Sequence, residues 1–328
     1  MVKNKLSIVL RFVVSLGLLL VLIWIMRKDA RGILGILKGS NKALILLVVF
    51  INMLLTIVVA YRLKLLLSGQ KILLSIKDVV HLTFIGYFFN SFLPTAIGGD
   101  IAKAYYISKK TDNKVASYAA VLADRILGLA ATLLIALAGL LFIGKSLDNK
   151  FIVWMVPVVF LLTITIIAIL LKKNNTPAKA SSGKSGMFYA IKEKLLKLYA
   201  AINLYRDNLA LLVKGMALSL VLQAMSIVSV YLLILCIGSD MPIFRLFLII
   251  PLVWAVSMLP SLNGLGVREG AFVYFLKGYI GPEKAFTISL LWLGLIMLYS
   301  VIGGLFQLFY PVKVNPDFAI AKSAQRAD

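Results

Sequence analysis

Apolar residues fall in long runs along this chain, separated by short polar segments rich in lysine. Runs at roughly 6–26, 43–63, 116–143, 151–171, 210–236 and 285–310 are long enough to cross a hydrocarbon core as helices, which takes about 20 residues each. Two further apolar regions, 78–108 and 244–280, are each split by a Pro/Gly-rich stretch into two pieces of about 15 residues, short for a full crossing. The one sizeable hydrophilic segment, 172–208, begins KKNNTPAKASSGKSG. It continues as MFYAIKEKLLKLYAAINLYRDN, whose apolar residues recur at helical intervals beside Lys192, Lys194, Lys197 and Arg206, the pattern of a helix lying on a membrane surface. The basic N-terminus leads into an apolar stretch that runs on to Arg27-Lys28-Asp29 with no small-residue cleavage site, so it reads as a retained first helix. The pattern predicts an all-α polytopic membrane protein with about six full spans and two interrupted hairpins.

The two interruptions repeat each other. With Pro94 aligned on Pro260, an offset of 166, FLPTAIGGDIAKAYY lies over MLPSLNGLGVREGAF, Gly98 over Gly264 and Lys103 over Glu269. The same offset carries 43–63 onto 209–229 and 116–143 onto 282–309. The chain is thus one integral membrane domain with two copies of span, hairpin and span, at about 43–143 and 209–310, joined by the basic loop 172–208. Positive loops stay in the cytoplasm, which puts 172–208 and 109–114 inside and 144–150 and 237–243 outside. If both hairpins are re-entrant, both termini are cytoplasmic and the copies run in opposite senses, an inverted repeat. Segment 27–42, with Arg27, Lys28, Arg31 and Lys38, would then face outside, against the charge rule.

Matched helix breaks in two inverted halves point to a transport site near the bilayer midplane. Backbone freed by a break cannot face lipid and must be buried in protein or line a wet cavity. The break residues are Pro94, Gly98 and Gly99 in the first copy, and Pro260, Asn263, Gly264 and Gly266 in the second. Ionisable residues follow closely: Asp100 and Lys103 after the first break, Arg268 and Glu269 after the second, and Asp124 and Arg125 within the span 116–143. Charges at such depth cost several kcal/mol and face a cavity or a partner. Neighbours on a helix point about 100° apart, so Asp124 and Arg125 do not pair with each other, and each is expected to reach a different hairpin element. Arg62 either joins this group or snorkels to the headgroups. The bland alternative is that all these charges only lock helices together.

Composition narrows the chemistry. Hydrophobic residues make up 61% of the 328, more than a soluble fold of this length needs. The net charge of +22 sits between apolar runs, where it meets anionic headgroups, so no nucleic-acid partner is expected. Cys236 and His81 are the only residues of their kinds, which leaves no disulfide and no cysteine- or histidine-based metal site. His81 is expected as a half-buried helix residue. No phosphate-binding GxxxxGK[ST] motif and no soluble catalytic domain are visible, so no cofactor and no catalytic residue are assigned.

LPTAIGGDIAKAYYI, ADRILGLAATL and LPSLNGLGVREGAFVYFL resemble the three motif regions of the lysylphosphatidylglycerol synthase transmembrane family, also called flippase-like proteins, over nearly the whole chain. The resemblance implies a first motif of Pro94, Gly98, Gly99, Asp100 and Lys103, a second of Asp124, Arg125 and Gly128, and a third of Pro260, Gly264, Gly266, Arg268 and Glu269. Lysine at 103 replaces a frequent arginine, which keeps the charge and loses a bidentate donor. Asn263 stands where a small residue or glycine is usual. In the bifunctional members a soluble domain makes the aminoacylated lipid and the membrane domain moves it. No such domain follows Tyr310-Pro311, so synthase activity is not expected to carry over.

The expectation is a lipid translocator of the cytoplasmic membrane, acting on a phospholipid, aminoacylated lipid or isoprenoid or glycolipid with an anionic or phosphate-bearing headgroup, with a separate lipid-synthesising enzyme as a possible partner. Arg125 and Arg268 would hold the phosphate, while Asp100 and Glu269 would balance charge or meet a cationic headgroup. The rival readings are a secondary transporter of a soluble ion or metabolite, and the membrane subunit of a lipid-modifying transferase.

Overall fold

Apolar surroundings leave backbone N–H and C=O groups no partner except one another, so runs this poor in polar side chains fold as helices. The computed structural model describes residues 30–93, 97–111, 113–143, 150–171, 196, 198–259, 261 and 263–309, and none of them is in a strand. A short helix α1 (Ala30–Gly39) precedes α2 (Lys42–Gly69), the pair α3 (Ile76–Phe92) and α4 (Gly98–Thr111), then α5 (Lys114–Ile143) and α6 (Lys150–Leu171). A 3-10 turn at Leu204–Asp207 leads to α7 (Leu209–Cys236), the pair α8 (Ile243–Ser257) and α9 (Val267–Ile280), and α10 (Pro282–Phe309). Among the described residues, α2, α5, α6, α7 and α10 are long and apolar enough to cross a membrane, matching five of the six expected spans. The sixth, 6–26, lies outside the described residues, as do Pro94, Pro260 and 172–195. Of the amphipathic helix expected in the polar segment, 198–203 is helical and buries Ala201 and Ile202 beside Ala119 of α5.

Polar side chains mark where helices begin. Asn41 accepts hydrogen bonds from the N–H groups of Ala43 and Leu44 at the start of α2. Ser75 accepts from Asp78 before α3, and Asn208 from Leu211 before α7. These caps satisfy N–H groups that the first turn leaves without partners. Gly281, at φ 84°, turns the chain sharply so that Pro282 can open α10, where its missing N–H costs nothing.

α2 and α7 lie antiparallel along each other. The Asn41 N–H donates to the Cys236 carbonyl at one end, and the Tyr205 hydroxyl donates to the Leu66 carbonyl at the other. The α3–α4 pair opens beside the C-terminal half of α2, where Val79 and Ile107 pack with Leu63 and Leu67 and Lys110 pairs with Asp78 across the opening. The α8–α9 pair opens beside the C-terminus of α7, where Leu246 and Ile280 pack with Cys236 and Ile237. There the Arg245 guanidinium covers the Tyr279 ring, 4.8 Å from its centroid. The openings therefore lie at opposite ends of the α2–α7 pair.

Each broken pair also leans on the long helix of the other half. α3 packs against α10 and α8 against α5, and both contacts run through glycine. A Cβ on Gly303 would collide with the Phe84 carbonyl, and one on Gly139 would lie 2.6 Å from the Leu248 nitrogen. Membrane helices approach this closely where small residues allow it, because van der Waals contact has to replace the hydrophobic drive that lipid removes. α1 buries Ile33 against Phe286 of α10 and exposes Arg31 and Lys38. His81 is half-buried, its ring edge-on to Phe306 at 5.5 Å, and Cys236 is a buried free thiol.

Gly303→Leu is expected to force α10 off α3 at a cost of about 1–3 kcal/mol, the range for overpacking a filled contact. Gly294→Ala, on the same helix with open space around it, should leave stability unchanged. Thermal unfolding of the detergent-solubilised protein compares the two.

Candidate functional site: a charged cavity between the helix breaks

Both breaks end in one place. A cavity of about 490 Å³ is lined by Asn90, Asp100 and Lys103 from the first interrupted pair and by Ser257, Asn263 and Arg268 from the second. α2 contributes Arg62 and α5 contributes Asp124 and Arg125 to the same lining. Six of the seven charged residues singled out from the sequence thus face one space. The seventh, Glu269, is fully buried behind Arg268.

Each carboxylate is engaged. Arg62 donates from Nε to Asp124 Oδ1 at 2.7 Å and from Nη2 to Oδ2 at 3.0 Å, a bidentate fork, while its Nη1 donates to the Ser219 hydroxyl at 2.7 Å. Arg62 is only 8% exposed, so it is a buried partner rather than a residue reaching for headgroups. Asp124 thereby meets α2, where a hairpin element was expected. Arg125 does reach a hairpin: its Nη1 donates to Asp100 Oδ2 at 3.1 Å, and Lys103 Nζ lies 2.7 Å from Asp100 Oδ1. The roughly 100° step between Asp124 and Arg125 is what sends the two side chains to different neighbours.

The second break is organised differently. Asn263 has φ 48°, Gly264 φ 77° and Gly266 φ 80°, all in the left-handed region. Asparagine adopts that region more readily than other residues with a Cβ, so Asn263 makes the turn without a glycine. Glu269 Oε2 accepts the Gly266 N–H at 2.6 Å, capping α9 with its own carboxylate. Glu269 Oε1 accepts from Arg268 Nη2 at 2.7 Å, and Arg268 Nη1 donates to the Asn263 carbonyl at 3.3 Å. Arg268 and Glu269 therefore hold the break in shape as well as bordering the cavity. At the first break Gly99 donates its N–H to Asn90 Oδ1 at 2.7 Å, and a Cβ on Gly99 would collide with the Gly86 carbonyl. The Lys103 stem passes so close to Gly86 that a Cβ there would lie 3.0 Å from it.

Among the described residues four cations of the cluster meet three carboxylates, one positive charge in excess. That excess belongs to Asp100, which answers both Lys103 and Arg125. The Arg125 side chain is 30% exposed, against 11% for Lys103, 9% for Arg62 and 5% for Arg268. Arg125 is the cation a ligand would reach most readily. No cluster of metal-ligating side chains occurs among the described residues.

Several neutral lining residues went unremarked in the sequence although their spacing signals them. Asn52 and Thr56 stand one turn apart on α2 and lead on to Arg62; Thr132 falls two turns after Asp124 on α5; Gln223 and Ser226 stand one turn apart on α7. Gln223 Nε2 donates to Thr132 Oγ1 at 2.6 Å, joining α7 to α5. The wall contributed by α8 and α10 is aromatic, with Trp254 and Trp292 4.9 Å apart and Tyr299 beyond them. Nothing about these aromatic residues in sequence separates them from ordinary packing.

Asp124→Asn is expected to destabilise the protein by about 3–5 kcal/mol, because it strands the buried Arg62 without a counter-charge. Replacing the pair together, Arg62→Met with Asp124→Leu, should recover most of that loss. A double-mutant cycle on thermal stability measures the difference.

No curated protein matches the chain. The model for the lysylphosphatidylglycerol synthase TM region matches residues 8–304, a stretch that holds both breaks, the charged cluster, four of the five long apolar helices and most of the fifth. The chain is therefore a multi-pass membrane protein that belongs to the lysylphosphatidylglycerol synthase TM-region family.

Proposed function

We propose that the protein translocates a lipid across the cytoplasmic membrane, carrying its anionic headgroup through the charged cavity while the acyl chains stay in the bilayer. The observation that carries this reading is the excess positive charge on the Asp100–Lys103–Arg125 group, set in a cavity that both helix breaks border. A phosphodiester brings the single negative charge that neutralises it, and a guanidinium binds phosphate oxygens with directed hydrogen bonds. The aromatic wall opposite suits the less polar part of an amphipathic ligand.

In this reading α2–α5 and α7–α10 form an inverted repeat, each broken pair is a re-entrant hairpin, and both termini face the cytoplasm. Alternating access then follows from one half rocking against the other about the shared site. Arg125 is the first contact for phosphate, with Lys103 beside it. Arg62 and Arg268, each held by its own carboxylate, set the field and the shape of the cavity.

The test is translocation of a labelled anionic phospholipid in proteoliposomes. Arg125→Gln is expected to slow it about tenfold, the equivalent of one charge-assisted hydrogen bond, and adding Lys103→Met should slow it further. Wild-type rates in the double variant would sink the reading. Coupled uptake of a soluble anion without lipid movement would replace it with that of a secondary transporter.

A further inference from the structure

Resting on the translocator reading, we propose that the acyl chains of the transported lipid leave the cavity through a side opening over the middle of α5, between the first turn of α4 and the last turn of α8. The packing along α5 locates this opening. At one end of the helix, Ala116, Ala120 and Val121 pack with Ala104 and Ile107 of α4. At the other, Ala136 and Leu140 pack with Leu248 and Leu252 of α8. Asp100, in the first turn of α4, accepts from Arg125. From there to Ala136 runs about 16 Å of α5 at 1.5 Å per residue, astride the middle of this 30-residue helix. Arg125, Leu129 and Thr132 on this stretch line the cavity. α6 also packs on α5, but among the described residues it buries Val156 alone, at the α8 end.

The helices on either side are uncovered at this same level. On α8, Leu248 and Leu252 are buried, whereas Ala255 on the same face and Leu259 one turn beyond it are exposed, Leu259 by 55%. On α4, Ala104 is buried, whereas Ile101 and Ile97, one and two turns nearer the break, are exposed, Ile97 by 49%. Leu122 of α5 is exposed between them. Met258 lines the cavity and is itself 40% exposed, so apolar surface is continuous from the cavity to the outside of the protein. The rim fits hydrocarbon. Ile97, Ile101, Leu122, Met258 and Leu259 offer no polar group to a solute that has shed water at mid-membrane depth, and such a solute pays for that loss. An acyl chain passing the same rim stays in apolar surroundings throughout. The cavity of about 490 Å³ is in the range of small-ligand sites, room for a headgroup and its phosphate but not for two chains as well.

The experiment uses the full-length protein in two ways. In nanodiscs, a phosphatidylglycerol analogue with a diazirine near the end of one acyl chain is added at low mole fraction and irradiated, and its adducts are located by mass spectrometry. Adducts at Ile101, Leu122, Met258 and Leu259 are expected severalfold above those at Val301 and Leu305, which are comparably exposed on α10. In proteoliposomes, Ile101→Cys with Met258→Cys is bridged by a bis-methanethiosulfonate linker. Translocation of a labelled anionic phospholipid should then be largely lost and should return on reduction, which shows that the fold survived. The same bridge between Met297→Cys and Val301→Cys, on the exposed face of α10, should leave the rate unchanged. Even labelling over all the exposed positions, failure of the first pair to bridge, or an undiminished rate with that pair bridged overturns this inference and leaves the translocator reading standing. Uptake of a soluble anion with no lipid movement in the unbridged protein overturns both.

Discussion

The bidentate pair between Arg62 and Asp124 is the contact around which the other charges arrange themselves. It ties α2 to α5, and the Ser219 hydroxyl extends the tie to α7, so three long helices share one buried guanidinium. Removing two ions from water is costly, and the attraction between them repays it only with close geometry and satisfied hydrogens. Those conditions are met here, with both oxygens of Asp124 and three nitrogens of Arg62 in use. The roughly 100° step from Asp124 turns Arg125 away from that pair and toward Asp100. The site's single excess charge follows from that division.

A second constraint comes from the breaks. A helix interrupted within an apolar region must satisfy the backbone it frees, and the two halves do so by different means. The first break uses Asn90 as a side-chain acceptor and glycines at 86 and 99 to bring two helices together. The second uses left-handed turn residues and the Glu269 carboxylate folded back onto Gly266. The halves therefore share a plan without sharing chemistry. One presents Lys103 and the more exposed Arg125 to the cavity, and the other presents Arg268, the turn that holds it and aromatic rings.

Much of this was legible in the sequence, for identifiable reasons. The five described spans follow from unbroken apolar runs, and the two broken pairs from proline and glycine inside them. The charged cluster was legible because ionisable residues among apolar ones have few places to go. The sequence could not say which charge meets which. Asp124 was expected to reach a hairpin and instead pairs with Arg62 of α2, since the rotation of each helix about its axis is set by packing such as the glycine contacts of Gly303 and Gly139. Glu269 looked like a site carboxylate and proves to be a cap, a role visible only once the turn before α9 has a shape. The neutral lining of Asn52, Thr132 and Gln223 carried a helical spacing in an apolar background, a weaker signal than charge but a readable one. Trp254 and Trp292 carried none.

The account stands on the claim that the space between the breaks receives a lipid phosphate. An electron cryomicroscopy structure of the protein in nanodiscs made from its native lipids tests this most directly. The account predicts a phosphate within hydrogen-bonding reach of Arg125 and Lys103, its acyl chains leaving between helices into the bilayer. A cavity filled by hydrocarbon or by water alone, with every ordered phosphate at the membrane surface, would contradict it.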